Sequence, residues 1–223
     1  MKKREFLKTA GLIGSGLVLG VGASKLLKRN DTPKNKKIIA INGSPNENGN
    51  TAYALSVIEE ILQQQNIDFQ VIHVGKSDIR GCIACYSCRR DKENRNGCLY
   101  TSDEEKQWIS TMESADAIIL ASPTFFGGIA GTMKSFLDKA FFSASQNFKH
   151  KIGASVVTTR RTGASITFQS LNQYFTISEM TIASSTYWNN MRGLTVDDLK
   201  QDSEGIRTLQ NLAKNIVKLL KAN

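Results

Sequence analysis

The stretch Ile38-Ile39-Ala40-Ile41-Asn42-Gly43-Ser44-Pro45-Asn46-Glu47-Asn48-Gly49-Asn50-Thr51 decides how the rest of the chain is read. A short apolar run bounded by turn-forming residues is the pattern of a strand buried on both faces, as in parallel sheets. A helical pattern begins at Thr51, so the segment is a strand-loop-helix corner at the carboxyl end of a strand, where open α/β sheets bind ligands. The loop suits a phosphate. Gly43 and Gly49 let the backbone come close, Ser44, Asn50 and Thr51 offer side-chain donors, and the helix N-terminus adds oriented N–H groups. No lysine follows in the manner of Gly-Lys-[Ser/Thr], which argues against ATP and for a monophosphate. The plainer alternative is an ordinary strand-to-helix turn with an Asn or Thr cap.

Outward from this corner the pattern repeats. Apolar spacing predicts helices over 51–65, 103–114, 129–142, 164–180 and 197–220, and further strands over 68–74, 116–121, 151–159 and 182–188. In the first helix Leu55, Ile58 and Leu62 share a face, and in the last Ile206, Leu209, Ala213, Ile216 and Leu220 recur with helical period. Strands alternating with helices in this way give an α/β fold, a doubly wound five-stranded parallel sheet in one domain over 36–223. Five strands fit the flavodoxin-like order, whose ligand site lies where the strand order reverses.

Two more loops open at the same end of that sheet. Ala121-Ser122-Pro123-Thr124-Phe125-Phe126-Gly127-Gly128 follows the third strand: Pro123 fixes a turn, the phenylalanines offer flat surfaces, and the glycines keep the backbone open. Taken alone, Phe125 and Phe126 read as core residues. Thr158-Thr159-Arg160-Arg161-Thr162-Gly163-Ala164 follows the fourth strand, and its arginines suit a phosphate, a partner carboxylate or plain surface charge.

Together, Gly-Ser-Pro-x-x-x-Gly-Asn-Thr at 43–51 and Ser-Pro-Thr-Phe-Phe-Gly at 122–127 resemble the flavodoxin-like NAD(P)H-dependent FMN reductases and iron-sulfur flavoproteins, with Met133-Lys134-x-Phe136-Leu137-Asp138 continuing the match. The resemblance covers about 36–193. It implies that Ser44, Asn46, Asn50 and Thr51 hold the FMN phosphate. Pro123, Thr124, Phe125, Phe126 and Gly127 would hold the ring and ribityl chain, with Thr159 and Gly163 beside them. It also implies a homodimer or homotetramer, because such proteins often complete the flavin pocket across a subunit contact.

All four cysteines fall in Cys82-Ile83-Ala84-Cys85-Tyr86-Ser87-Cys88 and Cys98, a C-x2-C-x2-C-x9-C spacing. Three thiolates on one compact loop and a fourth nearby suit a [4Fe–4S] cubane. The motif resembles that of the iron-sulfur flavoproteins, with a longer and more polar last spacer. Disulfides or free thiols in an oxidising compartment, and zinc, are the competing readings. His73 and His150, the only histidines, lack a metal-ligand or triad pattern and read as structural or solvated.

The chain carries 29 Lys/Arg against 20 Asp/Glu, a net charge of +9. Residues 1–29 hold seven of those Lys/Arg and one Glu, which leaves 22 against 19 for the remainder. The body is therefore only mildly basic, and nucleic acid is not an expected partner. A basic start followed by a glycine-diluted apolar run to Leu27 has the layout of an export signal. Lys3-Arg4-x-Phe6-Leu7-Lys8 resembles the twin-arginine signal, with lysine for the first arginine, and Val21-x-Ala23 reads as a cleavage site. Residues 1–35 are thus expected to be a cleaved signal or an uncleaved anchor plus linker, the only link to a membrane, in an exported protein.

The expected activity is FMN-dependent oxidoreduction, with NAD(P)H reducing the flavin and electrons passing to an acceptor. A flavin carries its own chemistry, so no catalytic side chain is expected. The alternatives are an iron-sulfur flavoprotein fed by a ferredoxin-like donor without nicotinamide, and an exported, non-enzymatic binding domain.

Overall fold

A computed structural model of the protein describes residues 35–90 and 97–222. The export segment expected over 1–35 lies, except for Asn35, outside the described residues, as does 91–96 of the cysteine spacer. Among the described residues, no helix is long and apolar enough to cross a membrane.

The apolar run of the opening stretch is the centre of the sheet. Lys37–Asn42 forms β1, paired in parallel with β2 (Asp68–His73) on one side and β3 (Ala117–Phe125) on the other. Beyond β3 lies β5 (Ile152–Thr159), and beyond that β6 (Thr181–Ile182) and β7 (Asn190–Arg192), all parallel. A two-residue β4 (Gly128–Ile129) turns back antiparallel on the end of β3. Among the described residues the sheet therefore counts seven strands in the order β2-β1-β3-β5-β6, with β4 and β7 off that path.

Period-two alternation assigns each inner strand to both layers. Ile38 and Ala40 of β1 join Ala117, Ile119 and Ala121 of β3 under α1 (Asn50–Gln63) and α7 (Ser203–Ala222). Ile39 and Ile41 face the opposite way with Ile118 and Leu120, against α3 (Asp103–Ser114), α4 (Gly131–Ala144) and α5 (Ala164–Ile177). Each fully buried isoleucine here contributes on the order of 1.5–3 kcal/mol of burial free energy. The short helices α2 (Ser87–Arg90) and α6 (Val196–Gln201) lie in the connections.

Three expected elements differ, each for a local reason. The fifth strand expected over 182–188 is two pieces. Ala183 N–H still bonds Gly153 at 2.8 Å, but the chain then leaves the sheet with Tyr187 and Trp188 exposed, and returns where Asn189 accepts from Val157 N–H at 2.9 Å. The helix expected over 197–220 breaks at Asp202, whose carboxylate accepts from Gly205 N–H at 2.9 Å and Arg192 N–H at 2.8 Å, so α7 starts afresh. The third strand runs past its expected end at 121. Pro123 is inside β3, in register with Thr158, and the turn comes later, at Phe126 and Gly127 with φ of 49° and 75°. Two positive φ values in a two-residue hairpin turn match the right-handed twist of the strands, and the phenylalanine there is strained.

Candidate functional site

The carboxyl ends of β1, β3, β5 and β7 surround a cavity of about 500 Å³, within the range of roughly 300–1,000 Å³ usual for cofactor sites. Its lining contains Ser44, Asn46, Asn50, Thr51, Pro123, Thr124, Phe125 and Thr159 of the expected ligand residues. Phe126, Gly127 and Gly163 are not on that wall. Phe126 is fully exposed at the tip of the β3–β4 hairpin, and Gly163, with φ of 88°, packs its Cα side against Gly127 and Thr124 at the start of α5.

The first loop is held from below. Asn42 Oδ1 accepts from Ser44 N–H at 3.0 Å, and Ser44 Oγ accepts from Asn46 N–H at 3.1 Å, which leaves the Ser44 hydroxyl hydrogen for a ligand. His73 Nε2 meets the Ser44 carbonyl at 2.6 Å, so this histidine braces the loop, in keeping with a structural role. Gly43 is not an open approach for a ligand: a Cβ there would fall 2.2 Å from Met133 Sδ of α4. The closest squeeze is at Gly75, after β2, where a Cβ would fall 1.8 Å from the Ser44 carbonyl oxygen.

α1 begins after Gly49 with no side-chain cap, so its first-turn N–H groups meet the cavity without a competing side-chain acceptor. Asn50 has a different task from the one expected. Its Nδ2 donates to the carbonyls of Gly193 and Leu194 at 3.1 and 3.2 Å, tying the β7–α6 loop to α1 instead of pointing both donors at a phosphate. Thr51 Oγ1 and Thr158 Oγ1 lie 3.0 Å apart and lock the first loop to β5. Thr124 Oγ1 accepts from Thr167 of α5 at 3.3 Å, and Thr159 donates to the Thr162 carbonyl at 3.0 Å. Among the described residues, Arg160 is the one basic residue on the wall, and none there is acidic.

Gly193, Leu194, Thr195 and Val196 form a wall that the sequence reading passed over. A signal for it exists. Thr195 and Asp198 make a capping box, with Asp198 Oδ2 accepting from Leu194 and Thr195 N–H groups at 2.9 Å. Those bonds hold the Asp198 carboxyl below its ordinary range, the Thr195 backbone contributing most.

A second pocket lies between the loop after β2 and α4. Cys82, Cys85, Cys88 and Cys98 all line it, together with Tyr100, Lys139 and Phe142. The four thiols are free. Ala84 and Tyr86, with φ of 53° and 61°, are strained left-handed residues that alternate with the cysteines and turn the chain so that three thiols reach one pocket. The Ser87 hydroxyl beside Cys85 lowers that thiol's pKa, while burial first and the neighbouring Cys98 second raise that of Cys88. The free volume between them is about 10 Å³, room for about one water. Among the described residues, no three of His, Cys, Asp and Glu are gathered as a ready-made metal site.

A parallel sheet core of this order with a cavity at its carboxyl edge defines a flavodoxin-like protein. Solved structures agree: a WrbA-like flavodoxin from Agrobacterium tumefaciens overlays with a TM-score of 0.56 at 18% identity, covering 85% of this chain and all (100%) of its own. RosB with bound 8-demethyl-8-formylriboflavin-5'-phosphate overlays with a TM-score of 0.63 at 14% identity, covering 83% and 81%. The chain belongs to the NADPH-dependent FMN reductase family, whose model matches residues 36–193. It is similar to an iron-sulfur flavoprotein of Archaeoglobus fulgidus, 30% identical over 83% of this chain and 96% of that one. It is also similar to one of Methanocaldococcus jannaschii, 26% identical over 83% and 97%.

Proposed function

We propose that this chain is an FMN-dependent oxidoreductase of the iron-sulfur flavoprotein kind. The observation that carries the flavin reading is the 500 Å³ cavity whose wall, among the described residues, joins an uncapped helix N-terminus to one arginine and no acid. That charge pattern fits a phosphate dianion. Ser44, Asn46 and the first turn of α1 would hold the phosphate, and Pro123, Thr124, Phe125 and Thr159 the rest of the molecule. Asn50 and Thr51 act one step back, fixing the walls. When bound, FMN supplies hydride acceptance and one- or two-electron transfer. The chain's own part is to orient the cofactor, to present N–H and O–H donors to it, and to keep one face open beside the half-exposed Phe125.

The cysteine pocket suits a [4Fe–4S] cluster in its donor chemistry: four free thiols on one wall. Its volume suits one only if the Cys82–Cys88 segment moves outward. Cys82, Ile83 and Tyr86 are exposed, so that movement breaks no core. Cys82, Cys85, Cys88 and Cys98 would be the ligands, with a ferredoxin-like protein as donor. The second reading, NAD(P)H as donor, is favoured by the family's description and by the open cavity mouth. Anaerobic purification with iron quantified and an absorbance spectrum separates the two. Iron with broad absorbance that NADPH leaves unchanged supports the first. An iron-free yellow protein bleached by NADPH supports the second. A colourless protein that fails to take up added FMN removes both.

Two further parts of the proposal concern assembly and place. The exposed Phe126 and Ile166, at the β3–β4 hairpin tip and the first turn of α5 beside it, support a homodimer that covers them. The basic, twin-arginine-like start of the chain supports export as a folded protein.

A further inference from the structure

The β3–β4 hairpin ends on a residue that its own chain does not use. Phe126 is fully exposed at the tip and sits in the left-handed region with φ of 49°. A bulky residue is strained there, where Asn or Gly would serve the turn better. Among the described residues, neither packing nor turn geometry accounts for a phenylalanine at this position. Beside it the outward stripe of α5 carries Ile166, Ser170 and Ile177 at helical spacing, and the two isoleucines are 59% and 79% exposed. Ile166 Cδ1 lies 4.0 Å from where a Cβ on Gly127 would sit, so the hairpin tip and the stripe form one surface.

The same surface holds a groove of about 480 Å³ between β4, α4 and α5, with Ile129 and Ile177 among its walls and Lys134, Asp138 and Tyr174 lining it. Those polar groups already answer one another. Asp138 accepts from the Tyr174 hydroxyl at 2.5 Å and from Lys134 Nζ at 2.8 Å, and Ser170 Oγ donates to the Ile166 carbonyl at 2.8 Å. An apolar group can therefore enter the groove without stripping these side chains of their partners. A whole phenylalanine side chain offers roughly 150–250 Å² to such a contact. With Ile166, Ile177 and the half-exposed Phe125, the face leaves on the order of 400 Å² of apolar surface uncovered, the size of the largest patch on a typical monomer, which is often functional. A standard interface buries about 800 Å² per partner, and the groove walls supply the balance.

We infer that the hairpin tip of one chain fills the α4–α5 groove of a second copy and that its own groove receives the second copy's tip, with Phe126 as the anchor of a two-fold homodimer. The inference rests on the homodimer proposed above and names the contact that makes it. Tip and groove lie side by side on one face. A single two-fold axis between them seats both at once, which is the self-complementarity an isologous interface requires. Thr124 and Phe125 of the same hairpin line the strand-end cavity, so the contact also steadies that wall.

The test is sedimentation equilibrium on the full chain, for wild type, Phe126→Asn, Ile177→Lys and an equimolar mixture of the two variants, with circular dichroism to confirm folding. Both variants should fold. Phe126→Asn places asparagine before Gly127, the pair such a turn favours, and Ile177→Lys puts a cation at the C-terminus of α5. In a two-fold dimer each substitution removes the contact twice, so the dissociation constant should rise about a hundredfold. The mixture is decisive. Its heterodimer keeps one intact contact, the unaltered tip of one variant in the unaltered groove of the other, and should form about tenfold more tightly than either variant pairs with itself. A mixture no tighter than the separate variants overturns the inference, as does a dimer that neither substitution weakens; the homodimer then stands on another face. A monomeric wild type removes the homodimer and the inference together and leaves the face to another occupant. FMN titration of the same wild-type sample, by fluorescence quenching, reports separately on the flavin reading.

Discussion

The strand-end cavity and the cysteine pocket are built in opposite ways. The cavity is assembled from the ends of buried parallel strands, its loops cross-braced by Asn50 to Gly193, Thr51 to Thr158 and His73 to Ser44, and it stands open at about 500 Å³. The pocket is made by a loop of irregular backbone with two strained residues, its outer side exposed, and it is closed to about 10 Å³. The first is a preformed cradle, which lowers the ordering cost of binding. The second has its chemistry gathered but its space still to be made. A ligand should therefore leave the cradle's shape unchanged and remodel the cysteine loop.

The largest break in that contrast should come from Gly75→Ala. A Cβ placed 1.8 Å from the Ser44 carbonyl must push the first loop, because that neighbour is backbone and cannot rotate away. Overpacking of this kind costs about 1–3 kcal/mol, and FMN affinity should fall more than about tenfold. Thermal melting and flavin titration read both effects, and an unchanged FMN affinity would show that the loop is not part of the cradle. Cys88→Ala should do the converse. Iron uptake on reconstitution should be lost while FMN affinity stays within about twofold, since among the described residues the two sites share no lining residue. Parallel loss of both cofactors would mean the regions are one cooperative unit.

Ser44→Ala sharpens the cradle itself. Removing one hydroxyl donor to a charged phosphate costs about 1.5–3 kcal/mol. FMN should bind roughly ten- to a hundredfold more weakly, with riboflavin, which lacks the phosphate, barely affected. The smallest effect concerns the Gly193–Val196 wall. Because the Asp198 carboxyl is held below its ordinary 3.8, the support it gives is fully present above that value and lost as pH falls through the lowered one. Amide resonances of Leu194 and Thr195 should thus shift only below about pH 4, and Asp198→Asn should abolish that titration. A transition near neutrality would assign the wall to another group.

How much of this was legible in the residues varies with what each residue answers to. The inner strands were, because Ile38–Ile41, 117–121 and 152–157 are buried on both faces and carry the apolar signal almost alone. The first ligand loop was placed, yet the partners that Gly43 and Asn50 meet within the fold were not read. Met133 and the Gly193 carbonyl lie 90 and 143 residues away, and no local pattern names them. The fifth strand misled because Thr186, Tyr187 and Trp188 have strand propensity while their surroundings leave the two aromatics exposed. The pairing of Lys139 with Glu105 was invisible for the same reason. At helical spacing it reads as one more surface charge, and only the packing of α3 against α4 buries it.

The most direct measurement is a titration of the apoprotein with FMN and, separately, with riboflavin, followed by quenching of flavin fluorescence. The account predicts saturation at one FMN per chain and riboflavin binding weaker by roughly a hundredfold, the worth of about two charge-assisted hydrogen bonds. Equal affinity for the two flavins, or no quenching by either, would contradict a phosphate cradle at the end of β1.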